Sequence, residues 1–192
     1  MPDVAGATGN ATEKDDAISQ AIESFWRGGL VGTTTRTLQR DLGLSAEALG
    51  ATFGTKKALR NNAIDAYLQR VDAQLVTPLD RPDADLEDLC RFFDGVTSWV
   101  TDPKHPGCML VNLLGESGAD DDFLLSRSTM LRERLQGALT AVLDRVDPAT
   151  AHARTSLLIA TFFGVCLIAR TGADDVADVV TSAQAQIRAW RI

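Results

Sequence analysis

Residues Thr33 to Lys57 read TTTRTLQRDLGLSAEALGATFGTKK, and the punctuation of this stretch decides the fold. Leu38 and Leu42 stand four apart and share one helical face, and Gly43 follows where a left-handed helix cap favours glycine. Ser45 is placed to cap a second, very short helix through Thr52, its hydroxyl accepting from first-turn N–H groups. Phe53 closes the unit. The outline is two short helices broken by a tight turn, the helix-turn-helix arrangement whose second helix enters a DNA major groove.

Upstream, a first helix from Lys14 sets Ile18, Ala21, Ile22 and Phe25 on one face, with Trp26 in the same small core, and Gly28-Gly29 ends it. Thr33, Thr34 and Thr35 precede the second helix; one hydroxyl can cap it while a neighbour reaches a phosphate beside the helix-end N–H groups, or all can serve capping alone. Arg36 and Arg40, four apart on the outer side, either approach a DNA backbone or form a solvated face.

Downstream, a fourth helix from Lys56 to about Leu75 turns Leu59, Ala63, Tyr67, Val71 and Leu75 inward; at ~1.5 Å per residue it is about 30 Å long. Thr77-Pro78 and Arg81-Pro82-Asp83 end it, because the residue before proline is driven out of helical geometry. A fifth helix, Ala84 to about Thr101, carries Leu86, Leu89, Cys90, Phe93, Val96 and Trp99-Val100 at three- and four-residue steps. Turn residues 102–107 lead into CMLVNLLGE, Cys108 to Glu116, a short buried helix whose one polar residue, Asn112, must hydrogen-bond a ligand or a neighbouring backbone. Asp120-Asp121-Asp122 complements the dipole of a long helix from Phe123 to Arg145. Asp147-Pro148 opens a helix containing the dense apolar run Leu157 to Ile168, Gly172 closes it, and Ala173 to Trp190 forms the last. The fold class expected is all-α, about nine helices, with a disordered tail over 1–13, a helix-turn-helix unit over 14–62 and a helical body over 63–192.

Composition agrees. The 192 residues are 45% hydrophobic but only 6% aromatic, without strict apolar alternation, which favours helices over sheets. The opening MPDVAGATGNATEKDD has neither the basic nor the apolar region of an export signal, and the longest apolar run, 156–169, falls short of the ~20 residues that cross a bilayer. A cytoplasmic chain without membrane association is expected. Cys90, Cys108 and Cys166 are widely spaced and not paired with histidine at ligand spacing, so reduced thiols are expected and no metal or cofactor. Net charge is −7, yet residues 14–62 hold seven basic against five acidic side chains and residues 63–192 hold twelve against nineteen. That asymmetry suits a DNA-facing head on an acidic body.

Thr33-Thr34, Leu38, Leu42-Gly43-Leu44-Ser45, Leu49, Phe53-Gly54-Thr55-Lys56 and Leu59 together resemble the DNA-binding domain of the tetracycline-repressor (TetR) family of one-component regulators. His105-Pro106-Gly107-Cys108-Met109-Leu110-Val111-Asn112 looks like a segment seen in a subgroup of that family at the entry to the ligand-binding domain. The resemblance implies DNA contacts from Thr33, Thr34, Arg36, Arg40, Ser45, Ala46, Glu47, Gly50, Ala51, Thr52, Thr55, Lys56 and Lys57. It implies a homodimer through the last two helices, for which the doubly apolar Leu157–Ile168 helix gives an independent reason. Where the family usually places a phosphate-contacting Tyr this sequence has Gly50, and the groove-facing positions offer no Arg, Lys, Asn or Gln, the usual readers of base edges.

The function expected is a homodimeric, ligand-responsive repressor on a pseudo-palindromic double-stranded operator, released by a small apolar or amphipathic effector. Bulky or polar-in-apolar positions nominate Phe92, Phe93, Val96, Trp99, Cys108, Val111, Asn112, Leu131, Phe162, Phe163 and Cys166 for the effector site. The alternative is a dimeric sensor whose DNA recognition is weak or lost. An enzyme is not expected: two histidines, no nucleophile triad order and no phosphate loop leave little general-base capacity.

Overall fold

The computed structural model describes residues 5–104, 107–117, 120–171 and 175–190, with side chains from residue 13. Among them are nine α-helices and no strand: α1 Ala5–Gly32, α2 Thr35–Leu42, α3 Ala46–Phe53, α4 Lys56–Val71, α5 Leu86–Val100, α6 Met109–Ser117, α7 Asp122–Val146, α8 Pro148–Arg170 and α9 Asp175–Arg188. The chain divides into two compact units, one ending at Tyr67 and one beginning at Leu68, so α4 contributes to both.

In the first unit, Ala21, Ile22 and Phe25 of α1 are fully buried, and the Trp26 ring meets Tyr67 edge-on with centroids 5.0 Å apart. The backbone is helical from Ala5. Extending a nucleated helix adds one hydrogen bond per residue fixed, so weak formers such as Gly6 and Asn10 can be carried along by the turns that follow. The break expected at Gly28-Gly29 is present: Gly29 takes φ 63° and ψ −164°, and the helix bends there.

The second unit is a helical bundle in which α8 packs on α5, α6, α7 and α9. α4 passes into a π-helical turn, Asp72–Val76, and a 3-10 turn, Thr77–Asp80. Arg134 of α7 holds both turns: Nε donates to Asp72 Oδ1 at 2.6 Å, and Nη1 and Nη2 donate to Asp80 at 2.9 and 2.5 Å. Asp85 caps α5 by a capping box with Asp88. The Asp88 carboxylate, 8% exposed, also takes Arg81 at 2.5 Å and Arg91 at 2.6 Å. Burial pushes that carboxyl up, and hydrogen bonds from Arg91 and the Asp85 N–H, with both guanidinium charges, hold it below the usual carboxylate range nonetheless. α9 is tied to α5 by Arg188 on Glu87 and by Gln184 on the Cys90 carbonyl and Asp94.

Around the apolar run 156–169, α8 extends to 23 residues and is long and apolar enough, by length and composition, to cross a membrane. It is a helix of the second unit's core on one side, with Leu158, Phe162, Val165 and Cys166 buried, while Leu157 and Leu167 remain 51% and 59% exposed. A groove of about 410 Å³ lies between α8 and α9, lined by Leu157, Leu158, Val179 and Trp190 among others.

Candidate DNA-binding surface

Local sequence builds the surface turn by turn. Thr34 caps α2: its Oγ1 accepts from the Thr37 N–H at 3.1 Å, and Thr37 Oγ1 accepts from the Thr34 N–H at 3.3 Å. At the other end Gly43 adopts φ 65°, and the Leu44 N–H reaches back to the Gln39 carbonyl at 3.1 Å. One residue later Ser45 Oγ accepts from the Ala48 N–H at 3.1 Å and starts α3. Thr55 repeats the device for α4, its hydroxyl accepting from the Ala58 N–H at 3.0 Å. Three caps within twenty-two residues fix the directions of three short elements whose propensities alone would not.

Packing then decides which side of α3 faces outward. Leu38, Leu42, Leu49, Phe53 and Leu59 are buried, which leaves Ala46, Glu47, Gly50, Ala51 and Thr52 exposed. Arg36, Arg40, Ser45, Thr55 and Lys57 are exposed around them. A Cβ added at Gly50 would meet nothing within 4 Å, so the glycine is not required by packing. The exposed α3 positions carry methyl groups, one hydroxyl and one carboxylate.

Two of the residues expected at DNA also have partners within the fold. Thr33 is 0% exposed, and its hydroxyl donates to the Ser24 carbonyl at 2.9 Å. Gly28 leaves room for it, since a Cβ there would lie 2.7 Å from that hydroxyl. Lys56 is half-buried, with Nζ donating to the Leu30 carbonyl at 2.9 Å; it braces the last turn of α1. Thr34 is exposed but its hydroxyl is the α2 cap. Arg40 points outward at 73% exposure and pairs with Asp41 at 2.9 Å. Asp41 also accepts from Ser24 at 2.9 Å and Arg27 at 3.3 Å. Burial raises that carboxyl, and the Ser24 hydroxyl and the two guanidinium groups more than offset it, leaving it below its ordinary value. The capping partner Thr37 and the bracing role of Lys56 are the functional details missed in the sequence; the Thr34-x-x-Thr37 spacing signalled the first, and nothing local signalled the second.

The residues nominated for an effector fall in the second unit. Phe92, Phe93, Val96, Cys108, Asn112, Leu131, Phe162 and Cys166 are buried, and Trp99, Val111 and Phe163 are half-buried. Phe92 meets Phe93 edge-on at 5.1 Å and Phe162 at 6.1 Å, and Phe162 meets Phe163 at 5.2 Å. Gly107 lies against the Cys166 carbonyl and Asn112 Oδ1. None of the eleven lines the α8–α9 groove. His105 and Pro106, which the resembling loop segment includes, lie outside the described residues, as does Gly172.

A capped helix-turn-helix unit followed by a helical body defines the class of helix-turn-helix regulators. No protein-family model matches the chain. Among curated proteins it is 28% identical over 130 residues to the HTH-type transcriptional repressor ComR of Escherichia coli, covering 65% of this chain and 62% of that one. It is 30% identical over 107 residues to the uncharacterised HTH-type transcriptional regulator YezE of Bacillus subtilis, covering 54% of this chain and 55% of that one. The chain thus spans less than two thirds of the length of these curated relatives. Among solved structures, a TetR transcriptional regulator from Chloroflexus aurantiacus superposes with TM-score 0.79 at 19% identity over 95% of this chain and 96% of that one. A TetR-family regulator from Agrobacterium tumefaciens does so with TM-score 0.78 at 22% identity over 93% and 97%. CifR, a TetR-family regulator seen as a cysteine mutant with a 26-base-pair operator, gives TM-score 0.72 at 22% identity over 92% and 96%. The fold of this chain is the TetR-regulator fold, and these matches are transcriptional regulators.

Proposed function

We propose that the chain is a DNA-binding transcriptional regulator of the TetR type, a homodimer that represses from a pseudo-palindromic operator until a small apolar or amphipathic effector releases it. The observation that carries this reading is the α3 face itself: Ala46, Glu47, Gly50, Ala51 and Thr52 are exposed while Leu49 and Phe53 anchor the opposite side. ComR being a transcriptional repressor and CifR being seen on operator DNA support it by likeness.

On this reading the α3 methyl groups meet thymine methyls, Glu47 accepts from a cytosine amino group, and Arg36, Lys57 and the caps hold phosphates. Two heads would enter successive major grooves about 34–36 Å apart. Leu157 and Leu167, exposed on α8, would be covered by the partner subunit. An effector among Phe92, Phe93, Phe162 and Asn112 would favour a head spacing unsuited to the operator, and by linkage DNA would weaken effector binding by the same factor.

Because no exposed α3 side chain is Arg, Lys, Asn or Gln, a dimeric sensor without specific DNA recognition is the competing reading. Fluorescence anisotropy on the gene's own upstream DNA at two salt concentrations separates them. Specific binding that weakens with salt, with Lys57→Ala lowering affinity for all sequences and reducing the salt slope by about one, is expected. Equal binding to unrelated DNA, or none at low salt, would leave the sensor.

A further inference from the structure

Cys108 and Cys166 are 2% and 0% exposed and 58 positions apart in sequence, yet the chain just before Cys108 lies against the Cys166 backbone. The contact is built into the backbone. Gly107, buried with φ 78°, lies so close to α8 that a Cβ on it would stand 2.7 Å from the Cys166 carbonyl and 3.3 Å from Asn112 Oδ1. The residue after it, Cys108, begins α6 through its carbonyl, which accepts from the Asn112 N–H at 2.9 Å. Neither thiol has a part in the DNA-binding surface. Cys90, the third, is placed differently, its Sγ 3.9 Å from the Gln184 carbonyl on α9.

We infer that Cys108 and Cys166 are a reversible disulfide site, a two-electron modification that fastens the start of α6 to α8. It rests on the second unit alone and holds whether or not the head binds DNA. A disulfide needs its sulfurs at about 2.05 Å, and Gly107 already brings the two backbones together. The oxidant class is a hydroperoxide. Its O–O bond breaks as the Cys108 sulfur takes one oxygen, giving a sulfenic acid and releasing water or an alcohol. The Cys166 sulfur then bonds to the Cys108 sulfur, the S–O bond breaks, and the hydroxyl leaves as water with the Cys166 proton. Two thiols are oxidised and one peroxide is reduced.

Order of attack follows from the pair's geometry. Cys108 stands at the start of α6, next to the loop that precedes it, and attacks first; Cys166 lies within α8 and closes the bond. Burial also makes the reaction depend on local opening, so it is slower than for a surface thiol.

The test uses the reduced full chain and hydrogen peroxide. After quenching, thiols are alkylated in denaturant and peptides mapped by mass spectrometry. Alkylated thiols should fall from three to one, Cys90, with a Cys108–Cys166 peptide pair that dithiothreitol releases. Cys90→Ser should leave that pair intact, and Cys166→Ala should abolish it. If Cys166→Ala does not fold, the map of the unsubstituted chain still decides. A link through Cys90, a link between chains, over-oxidation at Cys108 without a link, or three thiols still alkylated would each overturn the inference.

Discussion

Thr33, Lys56 and Gly50 differ in how far their neighbours dictate them. Thr33 has its hydroxyl enclosed and bonded to the Ser24 carbonyl, so Thr33→Val should cost about 1–2 kcal/mol by leaving that acceptor without its donor. Urea midpoints at constant slope would register it, and an unchanged midpoint would mean water replaces the bond. Gly50 is the reverse case. It lies in α3 with helical neighbours and open space where a Cβ would go, so Gly50→Ala should stabilise by about 0.5–1 kcal/mol. A lower midpoint for that variant would show that α3 is not helical at residue 50. Lys56 donates to Leu30; its ammonium braces the head whatever it does at DNA.

Among the elements, the junction after α4 is the one most dependent on a single side chain. The π turn and the 3-10 turn both end on Arg134, whose guanidinium its bonds to Asp80 and Asp72 hold above the usual arginine value. Arg134→Met should destabilise the second unit by about 1 kcal/mol, a figure reduced for screening because the side chain is 34% exposed. It should also speed amide exchange over residues 72–80, and exchange there unchanged would show the turns hold without the clamp. Asp88 gives α5 a pH dependence. Its folded pKa is depressed, so its contribution is fully present above the unfolded carboxylate value of about 3.9 and is lost as pH falls below that toward the lower folded value. Acid unfolding of Asp88→Asn should therefore be less steep below about pH 4 than that of the unsubstituted chain, and equal slopes would assign the acid limb to other carboxylates.

At the scale of the whole molecule, Leu157 and Leu167 leave large apolar side chains more than half exposed on α8. Light scattering should give twice the 20.6 kDa chain mass, and Leu157→Glu should return it to one chain with helicity retained; a dimer that survives would move the interface elsewhere. Much of this architecture was legible locally. Leu38, Leu42, Gly43 and Ser45 announce α2, its cap and α3 because a helix end is decided by the few residues that satisfy its own N–H and C=O groups. Asp147-Pro148 marks α8 for the same reason, whereas α5, expected from Ala84, starts only after Asp85, whose capping box the apolar stripe did not announce. What sequence could not decide is which side of a capable residue is used. Thr33 and Thr34 are identical side by side, yet one is enclosed beneath Gly28 and the other caps α2 in solvent. Cys108 and Cys166 meet only because Gly107 lets the chain lie against α8. Caps, breaks and apolar stripes are short-range properties of the chain, and the sequence determines them by itself; burial, thiol pairing and the Arg134 clamp join residues tens of positions apart, so only the tertiary packing that closes those loops decides them.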